Sequence, residues 1–573
     1  MKSKLLVLLV VGMMIASLTA CGTPANPASS AAATTAAPEA TPSAEAPTTA
    51  VEPSTAPAAE VTTYSFLMDW NGGAAAFPDG WDKGVVAQAI TAKTGVALKV
   101  ETITSSEREK LATVFASGDL PDMTNGPHWS TDPGGEGELI KNAGVQGLLL
   151  PLKSYLDSGK YPNINRLYEV GVISQKYLDK DVNHKDYNGE IYVIPTQTGR
   201  GKEDVRDWAY NLFARKDILE KLGITPESVT TQDAVYDLLK KIKEGSFTDI
   251  NGKPVIPGGT WHNGWDYGQF LKGFNNGGVT GWAKQADGTL VNDVFTQAYV
   301  DRALYMRKLV AEGLMDAECF TQTDTQGKEK MVTGRVAVFG CHYPNQYGFF
   351  QSTLMTTNPE MTFVPLGPIL DMQGGVPSQV ERIGRTGTPV VFFSKQIKTP
   401  EKALAFIDYL NSDEGLILSK FGIEGQTYTM DNGVPKYTEE ADKTRKGDST
   451  AWNLMGFGVG GQFIGADPSF SKGWDADYNE AGYVKAREIN PLKFIEYKTV
   501  DDVVDSWTGK PTYDEKMSTL NIGDELKKAF LTKTDDECKA VIENIRNKMK
   551  AAGYEDMAAY VNEQAKADPK ILN

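Results

Sequence analysis

Basic runs, histidines and cysteines are scarce in this chain of 573 residues, and each scarcity removes a class of function. Lysine and arginine total 58 against 74 aspartates and glutamates, a formal net charge of −16, and no stretch gathers the basic ones. Nucleic acid needs a cationic footprint along its phosphates, so it is not expected as a partner. The four histidines, His128, His184, His262 and His342, lie far apart, none at a His-x-x-x-His or Cys/His spacing, so no zinc centre is expected. Beyond Cys21 only Cys319, Cys341 and Cys538 remain. An odd number leaves room for one disulfide at most and suits small buried thiols. There is no Gly-x-Ser-x-Gly elbow and no Gly-x-x-x-x-Gly-Lys-Ser/Thr phosphate cradle. The one Gly-x-Gly-x-x-Gly match, Gly456 to Gly461, follows Trp452-Asn453 in place of a strand and runs into Phe463-Ile464-Gly465, so it reads as a flexible loop. No cofactor is expected.

What the chain does have begins at its first residues. Lys2 and Lys4 precede an apolar run, 5–16, and then Leu18-Thr19-Ala20-Cys21. The run is too short for the ~20 residues of a membrane-spanning helix and reads as an export signal, 1–20, cleaved after small Ala20. A thiol exposed there can carry a diacylglyceryl group, and two acyl chains are what stable anchoring takes. Cys21 is therefore the expected lipidation site. Residues 21–62 are almost wholly Ala, Pro, Thr and Ser with a few Glu. Nothing there can seed a core, and the proline content favours a semi-extended tether reaching about 100 Å. Such a length suits a protein lifted through a cell wall on a Gram-positive surface.

From residue 63 the pattern mixes strands and helices. Strands are expected at 63–68 and 97–103 around a helix at 81–93. Residues 211–222 read as an amphipathic helix closed by Gly223, and Thr231 can cap a second that ends at Gly245. Thr399-Pro400-Glu401 opens a third, with a cap, a first-turn proline and an acid at the positive end of the dipole. Alternating strands and helices predict α/β lobes with largely parallel sheets.

Five phrases occur in an order that resembles the extracellular solute-binding proteins of carbohydrate ABC importers. They are Phe115-Ala116-Ser117-Gly118-Asp119-Leu120-Pro121-Asp122-Met123, Tyr187-Asn188-Gly189-Glu190-Ile191-Tyr192-Val193-Ile194-Pro195, the stretch Leu212 to Gly223, Met331-Val332-Thr333-Gly334-Arg335-Val336-Ala337-Val338, and Ile423-Glu424-Gly425-Gln426-Thr427-Tyr428. The sequence is most similar to the branch of large lipoproteins that bind oligosaccharides. That resemblance implies an α/β, two-lobe, periplasmic-binding-protein-like (type II) fold with discontinuous lobes and a hinge, one lobe from 63–195 plus 386–421, the other from 196–385 plus 422–573. It implies no chemistry of the protein's own. The partners are an oligosaccharide, the permease subunits of an importer and, through the lipid alone, a membrane; the chain is expected to act as a monomer.

Ligand contacts in such a fold come from loops at strand ends facing the cleft. Here these loops hold Trp70, Asn71, Asn125, Trp129, Gln197, Arg206, Trp208, Trp261, Trp265, Tyr343, Arg385 and Trp452. The mixture fits a sugar, whose C–H face an aromatic ring covers and whose hydroxyl rim amides and charges satisfy. Any one of the tryptophans is equally compatible with core packing; as a set flanked by glycine and polar residues they read as a cleft lining. Many members of the branch carry a calcium loop, where this chain has Phe247-Thr248-Asp249-Ile250-Asn251-Gly252-Lys253-Pro254-Val255-Ile256. Calcium takes six to eight oxygens, and Asp249 with Asn251 cannot supply them, so a metal-free turn is expected. The reading is thus a lipid-anchored receptor on the outer face of the cell membrane. A surface glycoside hydrolase or lyase remains open, since two carboxylates at ~5–9 Å leave no sequence trace, and so does a peptide receptor.

Overall fold

The computed structural model describes residues 60–571 apart from 70–72, 104–106, 129–134, 170–172, 174, 197, 199–208, 262, 276–280, 343–353, 355–357, 378, 383–388, 466–473, 475–480, 491 and 496–497. The chain divides into two units, 1–58 and 59–573, and the description concerns the second. The expected leader and Cys21 lie outside the described residues, as does nearly all of the tether.

Two main sheets organise the folded unit. The first has five strands in the order Val96–Thr102, Thr62–Met68, Met123–Gly126, Val390–Phe393, Ile194–Pro195. Thr62–Met68 pairs in parallel with both neighbours, Phe66 standing opposite Met123. The helix Val85–Thr94 makes the crossover and ends at Gly95, whose φ of 65° is a left-handed stop that costs glycine little. Val390–Phe393 runs antiparallel to both its neighbours. The second sheet has the order Phe363–Pro365, Tyr210–Arg215, Val336–His342, Ile256–Thr260, parallel only between the last two. Both sheets are therefore mixed, where largely parallel ones were expected. The returning strand Val390–Phe393 follows a long excursion through the second sheet and re-enters the first from the opposite end, a direction its own residues do not encode.

Each sheet is covered on both faces, as strand alternation requires. In the first, Val391 and Phe393 join a cluster with Phe66, Leu404, Ile407 and Phe463, while Val390 and Phe392 join another with Leu111 and Ile140. In the second, Leu212 and Ala214 face a large core with Leu239, Leu309 and Ile542, and Phe213 faces Phe339, Phe363 and Tyr483. Each such buried side chain contributes about 1.5–3 kcal/mol. The helix Asp535–Ala552 feeds the large core with Cys538, Ile542, Ile545 and Met549 on one stripe, opened by a Thr534/Glu537 capping box.

Several local expectations meet corrections. Residues 211–222 are not one helix: Tyr210–Arg215 is a central strand and only Lys216–Leu222 is helical, because pairing with Val336–His342 outweighs a helical spacing. Thr231 caps Gln232–Glu244 through Ala234 N, but Thr399 does not cap Pro400–Leu410. Its φ is 52° and its hydroxyl pairs with that of Tyr64 instead. The Gly456–Gly461 stretch is no flexible loop. It forms a short turn and helix buried on the first sheet, and a Cβ at Gly458 would stand 2.1 Å from the carbonyl oxygen of Ala76. The residues around it pack there too: Trp452, Met455, Phe457, Val459 and Phe463 belong to the first sheet's cluster, and Val86 N donates to Met455 O. The three described cysteines are buried, and no helix among the described residues is long and apolar enough to cross a membrane.

Candidate functional site

At one end of the second sheet the strands Ile256–Thr260 and Val336–His342 finish side by side and Tyr210 begins the antiparallel strand, directly opposite His342. Thr260 leads into Trp261, so strand ends gather four rings. Trp265 is central, 5.7 Å from Trp261 at 86°, 5.3 Å from His342 at 85° and 6.1 Å from Tyr210. Tyr210 and His342 are 5.3 Å apart. Edge-to-face packing at these distances is the favoured aromatic geometry. Trp261 and Trp265 are half-buried, leaning on the core around Phe213 and Phe339.

The loop that carries both tryptophans is held from behind. Gln322 Nε2 donates to the carbonyls of Thr260 and Trp261, Gly264 N donates to Cys319 O at 2.6 Å, and Asn263 N to Gln322 O at 3.0 Å. Below the rings the carbonyl of Tyr210 accepts from Lys272 Nζ at 3.0 Å and Asn490 Nδ2 at 2.7 Å. Burial pushes the Asp266 carboxyl up to about 7 and the Lys272 ammonium down to about 7, each shift partly opposed by the other group's charge.

The corresponding end of the first sheet is polar. Asp69 follows Thr62–Met68 and its N–H donates to Asn125 O at 2.9 Å. Asn125 is fully buried; its Nδ2 donates to Gln462 O at 2.6 Å, and Gln462 Nε2 donates to Gly458 O at 3.3 Å. These donors fix both amide orientations. The remaining oxygens, Asn125 Oδ1 and Gln462 Oε1, are enclosed and accept nothing among the described residues. His128 stands 4.0 Å from the Asp181 carboxylate and edge-on to Tyr177 at 5.8 Å.

Of the twelve expected ligand residues, Trp261 and Trp265 come together, Asn125 lies at the first sheet's end, and Trp452 lies elsewhere. The Trp452 ring is stacked flat on Phe457 at 3.7 Å and meets Tyr437 edge-on, a packing role for at least one of its faces. Trp70, Asn71, Trp129, Gln197, Arg206, Trp208, Tyr343 and Arg385 lie outside the described residues. Sequence reasoning missed Tyr210 and Gln462: the first was hidden by reading a helix at 211–222, the second by reading a flexible loop.

In the 247–256 turn, Asp249 Oδ1 accepts from the backbone N–H groups of Asn251 and Lys253, each at 2.8 Å. One side of its carboxylate is thus committed to closing its own loop. Among the described residues no group of three His, Cys, Asp or Glu is placed to hold a metal.

Two sheets, each with helices on both faces and each presenting a polar or aromatic strand end, define a two-lobe α/β protein of the type II periplasmic-binding class. The chain belongs to the bacterial extracellular solute-binding protein family, which matches residues 74–417. It is similar to Lipoprotein LipO of Bacillus subtilis (strain 168), 26% identical over 386 residues that make up 63% of this chain and 68% of that one. It is also similar to the polygalacturonan/rhamnogalacturonan-binding protein YtcQ of the same organism, 25% identical over 330 residues, 56% of this chain and 59% of YtcQ. Among solved structures, the S. pneumoniae ABC-transporter substrate binding protein FusA in complex with kestose superposes with a TM-score of 0.61 at 17% identity, covering 88% of this chain and 99% of FusA. The alginate-binding protein AlgQ2 without calcium ion gives 0.58 at 20% identity, covering 87% and 97%.

Proposed function

We propose that this protein is the substrate-binding component of an ABC importer, capturing an oligosaccharide between its lobes and delivering it to membrane permease subunits without altering it. The observation that carries the ligand class is the half-buried Trp261–Trp265 pair at a strand end, beside Tyr210 and His342. An indole face desolvates a sugar's C–H surface. A relative named for binding polygalacturonan and rhamnogalacturonan, and structural neighbours described as alginate-binding and as a complex with kestose, support the class. In this reading Trp70, Asn71, Trp129, Gln197, Arg206, Trp208, Tyr343 and Arg385 line the remainder of the cleft. The hinge joins a first lobe of 63–195, 386–421 and the 452–465 packing segment to a second lobe of 196–385 and the C-terminal helices. Cys21 carries the lipid that holds a monomer at the outer face of a Gram-positive cell membrane.

Titrating the protein with a panel of kestose, alginate oligomers and rhamnogalacturonan fragments, read by tryptophan emission, tests the reading; one of them binds with micromolar or tighter Kd, about −8 kcal/mol. Failure of a broad glycan panel sinks it. Chromatography of the recovered ligand separates a receptor from a hydrolase or lyase, since a receptor returns the glycan intact. Cys21→Ala abolishes lipid labelling if the anchor is as proposed.

A further inference from the structure

We propose that Lys527, on the C-terminal helix Ile522–Phe530, is a positioning residue for the tryptophan pair, acting through Asn263. The proposal rests on the reading that Trp261 and Trp265 contact the ligand, but its geometry does not. The loop that carries the rings takes left-handed backbone at Asn263 (φ 46°) and Gly264 (φ 75°) between them and at Asp266 (φ 65°) just after the second. Two of these are Asn and Asp, which enter this region at modest cost, and contacts to the surrounding structure select it over the ordinary regions. Lys527 supplies those contacts at Asn263. An ammonium has three donors, and here they meet Asn263 O at 3.2 Å, Asn263 Oδ1 at 3.1 Å and Asp524 Oδ1 at 2.8 Å.

The lysine is itself fixed. Its side chain is only 15% exposed, and its helix is bound into the large core by Leu526, Ala529 and Phe530, with Phe530 edge-on to Tyr267 at 5.1 Å. A Cβ at Gly264 would come within 2.9 Å of Phe320 Cδ1 and 3.3 Å of Lys527 Cδ, so the lysine stem and Phe320 also form the wall against which the loop lies. On the far side Gly327 admits the Trp261 ring, its own Cβ position being 3.0 Å from Trp261 Cδ1. Gln322 fixes the start of the loop and Lys527 fixes its left-handed middle, immediately before Trp265. A helix more than 250 residues downstream thereby sets the angle between two rings that lie only four residues apart.

Two indoles 5.7 Å apart at 86° couple electronically, so near-ultraviolet circular dichroism of the unliganded protein reports their geometry without any ligand. Lys527→Met keeps the stem and removes the donors. The couplet, assigned beforehand as the signal lost in Trp265→Phe, shrinks in Lys527→Met and returns in Lys527→Arg. Affinity for a rhamnogalacturonan oligosaccharide falls about five- to tenfold in Lys527→Met, the size of a partly exposed charge-assisted bond lost, while Tm stays close to that of the parent. Lys528→Met is the control: it removes the same charge from the same helix, but that side chain is 67% exposed and pairs with Glu525. A couplet unchanged in Lys527→Met, or lost equally in Lys528→Met, overturns the proposal. Wild-type protein that binds no glycan, with the couplet still responding to Lys527→Met, defeats the sugar reading and leaves the positioning role standing.

Discussion

Trp261 and Trp265 are each half-buried against the core around Phe213 and Phe339 and half open at the strand end. If the open half meets the ligand as proposed, truncation to alanine removes both a ligand face and some packing. We expect a loss of about 1–3 kcal/mol in glycan affinity together with a modest fall in Tm. Trp452→Ala behaves differently, because its face is already stacked on Phe457; it loses about 2–3 kcal/mol of stability and little affinity. Calorimetric binding beside a melt separates the two patterns, and equal affinity losses at all three positions would return Trp452 to the cleft. A second residue-scale expectation concerns Asp266 and Lys272. The Asp266 carboxyl is raised from 3.8 to about 7 on folding, so the native state holds its proton more tightly and its contribution is complete below pH 4 and lost as pH rises towards 7. The Lys272 ammonium is lowered from 10.5 to about 7, so its contribution is complete above pH 10.5 and lost as pH falls towards 7. The pair disfavours folding most near neutrality. Asp266→Asn removes the acid limb, and the Tm difference between this variant and the parent grows from pH 4 to pH 7; a pH-independent difference would show that burial does not perturb the carboxyl.

At the scale of elements, what a segment's own residues decide was legible and what its partners decide was not. The opening strand–helix–strand, the glycine stops at Gly223 and Gly245 and the Thr231 cap depend on neighbours within a few positions, and these are found where the sequence places them. Residues 210–215 carry both a helical and a strand pattern, and only the pairing of Tyr210 with His342, across more than a hundred residues, selects the strand. Thr399 looks like a cap until Tyr64 takes its hydroxyl. The candidate site follows the same division: the tryptophan loop announces itself by composition, whereas Tyr210 and Gln462 join strand ends only through the fold. The 247–256 turn belongs to this scale as well. Its acid accepts two backbone N–H bonds at 2.8 Å, which the turn needs whether or not an ion is near. Asp249→Ala is expected to cost about 1–2 kcal/mol of stability, and EDTA to leave both Tm and glycan affinity unchanged. A Tm that falls with EDTA and recovers with calcium would mean that oxygen donors outside Asp249 and Asn251 complete a site.

For the whole molecule the decisive feature is that the two sheets have separate cores. The cluster around Phe66 and Phe393 packs the first sheet and the cluster around Leu212 and Val338 packs the second, which is what the proposed hinge between two lobes requires. It also fixes what the C-terminal helices are for. Ile522–Phe530, Asp535–Ala552 and Tyr554–Ala567 do not decorate the surface: Leu526, Phe530, Cys538, Ile542, Ile545, Met549 and Val561 are at most 2% exposed and belong to the same cluster as Leu212, Leu239 and Leu309. Arg546 ties the long helix to the carbonyls of Val294 and Thr296 at 2.7 and 2.9 Å, and Asn562 exchanges two bonds with the backbone of Leu290. Truncation after residue 534 thus removes several side chains worth about 2–5 kcal/mol each, against a domain stability of about 5–15 kcal/mol. The second lobe should lose cooperative folding while the first keeps its own core. Native hydrogen exchange of the truncated chain would show protection persisting in Thr62–Met68 and Met123–Gly126 and disappearing from Tyr210–Arg215 and Val336–His342. Protection surviving in the second sheet would make the C-terminal helices an independent module, and protection lost from both sheets would mean that the two cores fold as one.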